Sequence, residues 1–201
     1  YREDPAYEAL ATASGKIEIY SKAIEKLGYE DLPAHPTWIE PAEWMGSGKA
    51  EKYPLHLLSP HPTARVHSQM AHIPQRRDYT IAEREPIWIN SEDAKDRGIR
   101  QGDLVRVFNE RGQVLGGANV SERMRAGVVQ MQEGGWYDPQ DPTEPGSLCQ
   151  YGTANVLTLD KGTSQLAQAT SANSTLVNIE KYAGDPSPVT AFQPPKERKP
   201  R

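Results

Sequence analysis

The chain has 201 residues, enough to bury a real core without disulfides or structural metals, as one ordinary domain with appendages or two small ones. Its 23 basic and 27 acidic residues leave a net charge of -4, which argues against a general nucleic-acid binder, whose affinity needs a concentrated basic face. A single cysteine, Cys149, excludes an internal disulfide or a cysteine-built cluster and reads as a small inert loop residue, and no apolar run is long enough to span a bilayer.

The chain opens at Tyr1 on a polar stretch and is expected to be a fragment or processed product whose address segment has been removed. In the lead-in, residues 1–52, Ile17 and Ile19 alternate with Lys16, Glu18 and Tyr20, the pattern of a half-buried strand. Ser21 then caps a short helix running to Leu27, which Gly28 ends. From Pro33 to Gly48, Pro33, Pro36 and Pro41 with Trp38 and Trp44 describe an extended connector. Two indoles suit a surface that meets other protein, so this stretch is expected to pack on protein outside the chain or to wrap across the body.

The body, residues 53–182, reads as β. Leu55, Leu57 and Leu58 form a strand that Pro60 and Pro62 stop near Ser59, since neither proline can donate a ladder hydrogen bond. The loop that follows holds Ser59, His61, Arg65, His67, Ser68 and Gln69, a density of donors and acceptors that suits a ligand rich in heteroatoms. Four of the five histidines, His56, His61, His67 and His72, fall here. A metal site ranks below a ligand site because the short spacings and the acidic or thiolate helpers of zinc sites are missing nearby.

Pro86 to Asn90 is a brief strand, after which Asn90 or Ser91 caps a two-turn helix to Arg97, stopped by Gly98. Asp103 to Phe108 and Gln113 to Val120 flank a polar connection containing Gly112, a hairpin signal. Val128 to Gln132 and Ser174 to Tyr182 complete about six strands, pointing to a closed barrel or a sandwich; a barrel is favoured because it leaves no edge exposed. Between the last two strands, Gly134 to Asn173 is too long for a simple turn and is therefore expected to be functional or disordered. It carries Trp136, Tyr137, Tyr151, Asn155 and a helix-like GTSQLAQAT, in which Gln165 and Gln168 share a side. Aromatics and side-chain amides suit a flat heterocycle, and Trp136 and Tyr137 read equally well as core plugs. The tail, residues 183–201, holds five prolines and ends in Lys196, Arg198, Lys199 and Arg201; it reads as an arm, mobile or laid against a neighbour.

These segments carry a resemblance. YPLHLLSPHPTARVHSQ, INSEDAKDRGIRQGDLVRVFNERGQVLGGANV, EGGWYDP and YGTANVLTLDKGTSQLAQATSAN resemble, in order, the C-terminal molybdopterin-dinucleotide-binding domain of the dimethyl-sulfoxide reductase family. The branch is that of the reductases of trimethylamine N-oxide, dimethyl sulfoxide and biotin sulfoxide. The resemblance covers residues 53–182, and SGKIEIYS resembles the segment joining the preceding domain.

It implies a mainly β fold, a six-stranded double-psi β-barrel with short helices and extended arms, covering one side of a bis(molybdopterin guanine dinucleotide) molybdenum cofactor. Carried onto this chain, Ser59, His61, Arg65, His67, Ser68 and Gln69 would bind the cofactor, joined by Asn155 from the second loop and by Gln168 and Asn173. Arg65 would offer a charged fork to phosphate or carbonyl oxygens. The molybdenum-ligand serine of this branch has no counterpart here, so no residue is assigned to catalysis or metal, and the chain is expected to be inactive alone. The implied partners are the remaining reductase domains, an N-oxide or S-oxide substrate and an electron donor such as a c-type cytochrome, with the periplasm as the expected location, or the cytoplasm for the biotin sulfoxide type. A cofactor-free recognition module and a histidine-rich metallohydrolase are the alternatives.

Overall fold

The structure, a computed structural model, describes residues 2–194. The chain divides into two compact units, one comprising Tyr1–Glu40 with Lys161–Thr170, the other Pro41–Asp160 with Ser171–Arg201.

The larger unit is a closed barrel of six strands: β1 Leu55–Leu58, β2 Pro86–Ile89, β3 Leu104–Phe108, β4 Gln113–Val120, β5 Val128–Met131 and β6 Thr175–Lys181. Their order around the barrel is β1-β5-β2-β4-β3-β6. Two pairs, β1 with β5 and β2 with β4, are parallel, and the other four are antiparallel. This is the closed barrel that the strand pattern favours and the double-psi barrel that the family resemblance implies. Alternation in each strand sends one face inward, so Leu55, Leu57, Ile87, Ile89, Val105, Val107, Val129 and Met131 fill the interior. Each such side chain, fully removed from water, contributes about 1.5–3 kcal/mol before conformational entropy is set against it. Cys149, in the loop after β5, joins this core with no exposure, its backbone bonded to Gln113 and Leu115 of β4. A short helix, α2 Ser91–Asp96, follows β2; the Asn90 side chain caps it by accepting from Glu92 N at 2.8 Å.

The parallel pairing of β1 with β5 decides where the loops lie. Leu58 faces Gln130, so both strands end at the same rim, and the bond from Glu133 N to Pro60 O at 3.0 Å carries the pairing into the loops. Antiparallel β6 begins there too, with Thr175 opposite Leu57.

Two segments run across the barrel. In the connector, Glu43 is buried at 1% exposure and takes a bidentate bond from Arg111, one from Leu176 N and one from Lys49. Burial pushes its carboxyl up, but these donors together outweigh burial and hold it at about 2. In the tail, Thr190 bonds Asp138, the Ser187 carbonyl accepts from Arg84 at 2.7 Å, and the Phe192 ring meets Trp136, Tyr151 and Arg76. The described part of the tail is therefore a strap fixed to its own barrel, while Lys196, Arg198, Lys199 and Arg201 lie outside the described residues.

In the smaller unit, Ser21 caps α1, Lys22–Glu25, by accepting from Ile24 N at 3.3 Å, and Gly28 follows at φ +65°. The strand expected around Ile17 and Ile19 does not form; both are largely exposed, and among the described residues of this unit no strand pairs with them. The helix expected in GTSQLAQAT is instead a tight hairpin, with Thr163 N bonded to Ala169 O and Ser164 N to Ala167 O. The Thr163 hydroxyl also donates to Ala167 O at 2.7 Å, one of the local side-chain bonds with which threonine and serine compete against helix.

Candidate functional site

At the rim where β1 and β5 end lies a cleft of about 510 Å³ built from three segments: His67 and Ser68 after β1, Glu133 to Tyr137 after β5, and Thr153 with Asn155 at the 3₁₀ turn Ala154–Val156. Gly134 and Gly135 form part of its wall. Gly134 sits at φ +81°, and a Cβ there would lie 2.5 Å from the His67 carbonyl, so the two loops approach backbone to backbone only because the side chain is absent. His67 itself has φ +50°, a sparsely populated conformation for a residue with a side chain, held by the structure around it.

What holds these loops is a buried ion pair. The Arg65 and Glu85 side chains have no exposure, with Nη2 and Oε2 3.1 Å apart. From that position Arg65 Nη1 donates to the carbonyls of His67 and of Glu133, the latter at 2.8 Å, so one guanidinium ties the loop after β1 to the loop after β5. Tyr151 donates its hydroxyl to the other Glu85 oxygen at 3.0 Å. Burial pushes the Glu85 carboxyl up, partly opposed by the Arg65 charge; burial and the Glu85 charge also push the Tyr151 hydroxyl up. Gly152, at φ +141°, lets the backbone pass Glu85; a Cβ there would lie 2.5 Å from Glu85 Cβ.

The histidines separate by role. His56 Nε2 bonds the Asn173 carbonyl at 2.7 Å, and His72 lies against the Trp136 ring, whose Nε1 donates to Ser68 O at 2.9 Å. His61 and His67 converge on Glu133, their Nδ1 atoms 3.1 and 2.8 Å from one carboxylate oxygen. Burial pushes the Glu133 carboxyl up, but the two imidazoles outweigh that and hold it below the usual range.

Of the residues singled out from sequence, His67, Ser68 and Asn155 line the cleft, and His61 stands at its edge through Glu133. Ser59 and Asn173 meet at the same rim, Ser59 N donating to Asn173 Oδ1 at 2.8 Å, while Ser59 Oγ is buried with no hydrogen-bond partner among the described residues. Arg65 lies at this rim too, but its fork addresses protein carbonyls and Glu85, so it acts on the cleft by positioning the loops. Gln69 is exposed and closes a turn through its backbone bond to Val66 O. Gln168 belongs to the smaller unit, where its amide donates to Ser164 O at 2.8 Å. Glu85 and Glu133 escaped the sequence reading. Glu85 meets Arg65 from twenty residues away and Tyr151 from sixty-six, Glu133 meets both histidines from more than sixty, and only the glycine pair after Glu133 hinted at a close approach.

Comparison with known proteins gives a family and a set of relatives. Residues 55–176 match the family model described as the molydopterin dinucleotide binding domain. The chain is 55% identical over 196 residues to a dimethyl sulfoxide/trimethylamine N-oxide reductase of Cereibacter sphaeroides, covering 98% of this chain and 24% of that protein. It is 57% identical over 192 residues to trimethylamine-N-oxide reductase 1 of Escherichia coli K12, covering 94% and 23%, and 50% identical over 198 residues to a Haemophilus influenzae trimethylamine-N-oxide reductase, covering 98% and 24%. The chain thus spans about a quarter of the length of these relatives. Among solved structures, acetylene hydratase from Pelobacter acetylenicus superposes with a TM-score of 0.68 at 21% identity, over 87% of this chain and 24% of that one, which shows a shared fold.

Proposed function

This chain belongs to the molydopterin dinucleotide binding domain family, and from that premise we propose that it is the cofactor-gripping barrel of a molybdenum reductase acting on N-oxides or S-oxides. The observation that carries the reading is the cleft at the β1/β5 rim, where segments more than eighty residues apart bring Ser68 and Asn155 to one concavity.

The residues present fit a pterin dinucleotide. Gly134 and Gly135 let the loops close on one another to form the cleft wall; Trp136 and the exposed Tyr137 offer aromatic surface; Ser68, His67 and Asn155 offer donors and acceptors for the edges of a flat ring. The buried, unpaired Ser59 Oγ is a further polar atom at this rim that a ligand would satisfy. In this reading Ser59, His61, His67, Ser68, Gln69, Asn155 and Asn173 hold a bis(molybdopterin guanine dinucleotide) molybdenum cofactor, and Arg65 positions their loops. The bound group supplies oxygen-atom transfer; this chain binds and orients it and excludes water from one side. The other reductase domains bring substrate, an N-oxide or S-oxide, and the route for electrons from a donor such as a c-type cytochrome, with the periplasm as location. Among the described residues no helix is long and apolar enough to cross a membrane.

The test is Asn155→Ala in the full-length reductase, read as molybdenum and pterin content per mole of protein together with thermal stability. Losing one polar edge to the cofactor is expected to lower retention about tenfold without moving the melting temperature, because Asn155 is exposed in this chain. Unchanged pterin content would refute the assignment and favour a cofactor-free recognition barrel.

A further inference from the structure

We propose that His61, His67 and Glu133 form a binding site for a borderline divalent ion, zinc being the probe of choice, at the edge of the cleft. No acidic residue accompanies these histidines in the local sequence; the fold delivers one from the loop after β5. The donor atoms lie within 4.8 Å of one another. Both Nδ1 atoms stand 3.1 and 2.8 Å from the same Glu133 oxygen, and the imidazole rings meet edge to face with centroids 4.7 Å apart. Ligands about 2.0–2.2 Å from a tetrahedral zinc are separated from each other by about 3.3 Å, so these spacings need only small side-chain rotations. Two imidazoles and one carboxylate select zinc, nickel, copper or ferrous iron over calcium and magnesium, which require oxygen donors. His61 and His67 are 80% and 62% exposed, which leaves an ion open to solvent or to a further ligand.

Binding exchanges one imidazole tautomer for the other. With no ion present, Nδ1–H donates to Glu133; with an ion bound, the proton sits on Nε2 and the Nδ1 lone pair faces the metal. No net proton is released from a neutral ring, and acidification weakens the site because coordinating imidazoles must be neutral. The inference does not depend on the proposed cofactor, but His61 and His67 are both among the residues proposed to hold it, so a cofactor seated there would compete with the ion.

The experiment is a zinc titration of the full chain, free of cofactor, against a chromophoric chelator. About one equivalent is expected to bind, and His61→Ala, His67→Ala and Glu133→Gln are each expected to weaken it by about tenfold or more, with His72→Ala unchanged. Glu133→Gln keeps an oxygen acceptor for the imidazoles, and melting curves of each variant identify any that fails to fold. Undiminished binding in the His61→Ala/His67→Ala double variant, or equal loss in His72→Ala, overturns the proposal.

Discussion

Replacing Arg65 by alanine tests whether the cleft is held by the buried pair beneath it. In the native chain both partners are fully enclosed, and the same guanidinium donates to the carbonyls of His67 and Glu133. The variant leaves Glu85 in a dry site without its counter-charge and two carbonyls without a donor. Breaking a buried pair from one side costs about 3–5 kcal/mol, which for a chain of this size lowers the melting temperature by about 10 °C. The dependence on pH carries the sharper test. Burial already raises the Glu85 carboxyl in the folded state, and removing Arg65 raises it further. A carboxyl whose folded pKa exceeds its unfolded value binds more protons in the native state, so its penalty is full above the folded pKa and disappears as pH falls toward 4.5. Urea denaturation across that window should show the deficit of Arg65→Ala shrinking on acidification. Adding Glu85→Gln, which keeps an acceptor for Tyr151, should restore about 1 kcal/mol or more at neutral pH. A deficit that is flat with pH, together with simple additivity in the double variant, would refute the reasoning. It also follows that Arg65→Ala destabilises the barrel unit, apart from any effect on cofactor retention.

Glu43 gives the opposite sign. Its folded pKa of about 2 lies below the ordinary 4.5, so its contribution, about 3 kcal/mol, is complete above 4.5 and is lost as pH falls through about 2. Denaturation midpoints measured through that range should fall in the native chain and change much less in Glu43→Gln, which is weaker throughout. Phe192→Ala should destabilise by about 1–2 kcal/mol and alter tryptophan fluorescence, since the ring covers Trp136 and Tyr151. Unchanged emission and stability would mean that the tail strap does not seat on the barrel in solution.

Much of the barrel was legible because its signals are local. Leucines marked Leu55–Leu58, a hairpin signal marked Leu104–Phe108, alternation marked Thr175–Lys181, Pro60 and Pro62 marked where β1 stops, and Asn90 marked a helix start; each depends on neighbours within a few positions. The same local logic failed at Ile17 and Ile19, whose alternation needs a partner strand, and in GTSQLAQAT, where hydroxyl groups close a hairpin instead of a helix.

The sequence by itself determined the strand set, the family resemblance and the loop after β1 as the place to look for a ligand. Only the tertiary structure decided which groups meet there. Parallel pairing of β1 with β5 places Pro60 beside Glu133, and from that register follow the carboxylate between His61 and His67, the inward turn of Arg65 toward Glu85 and the approach of Gly134 to His67. The physical reason is one of range: strand and cap preferences act over a few residues, whereas electrostatic partners and close backbone contacts are fixed by barrel closure, which no window of sequence contains.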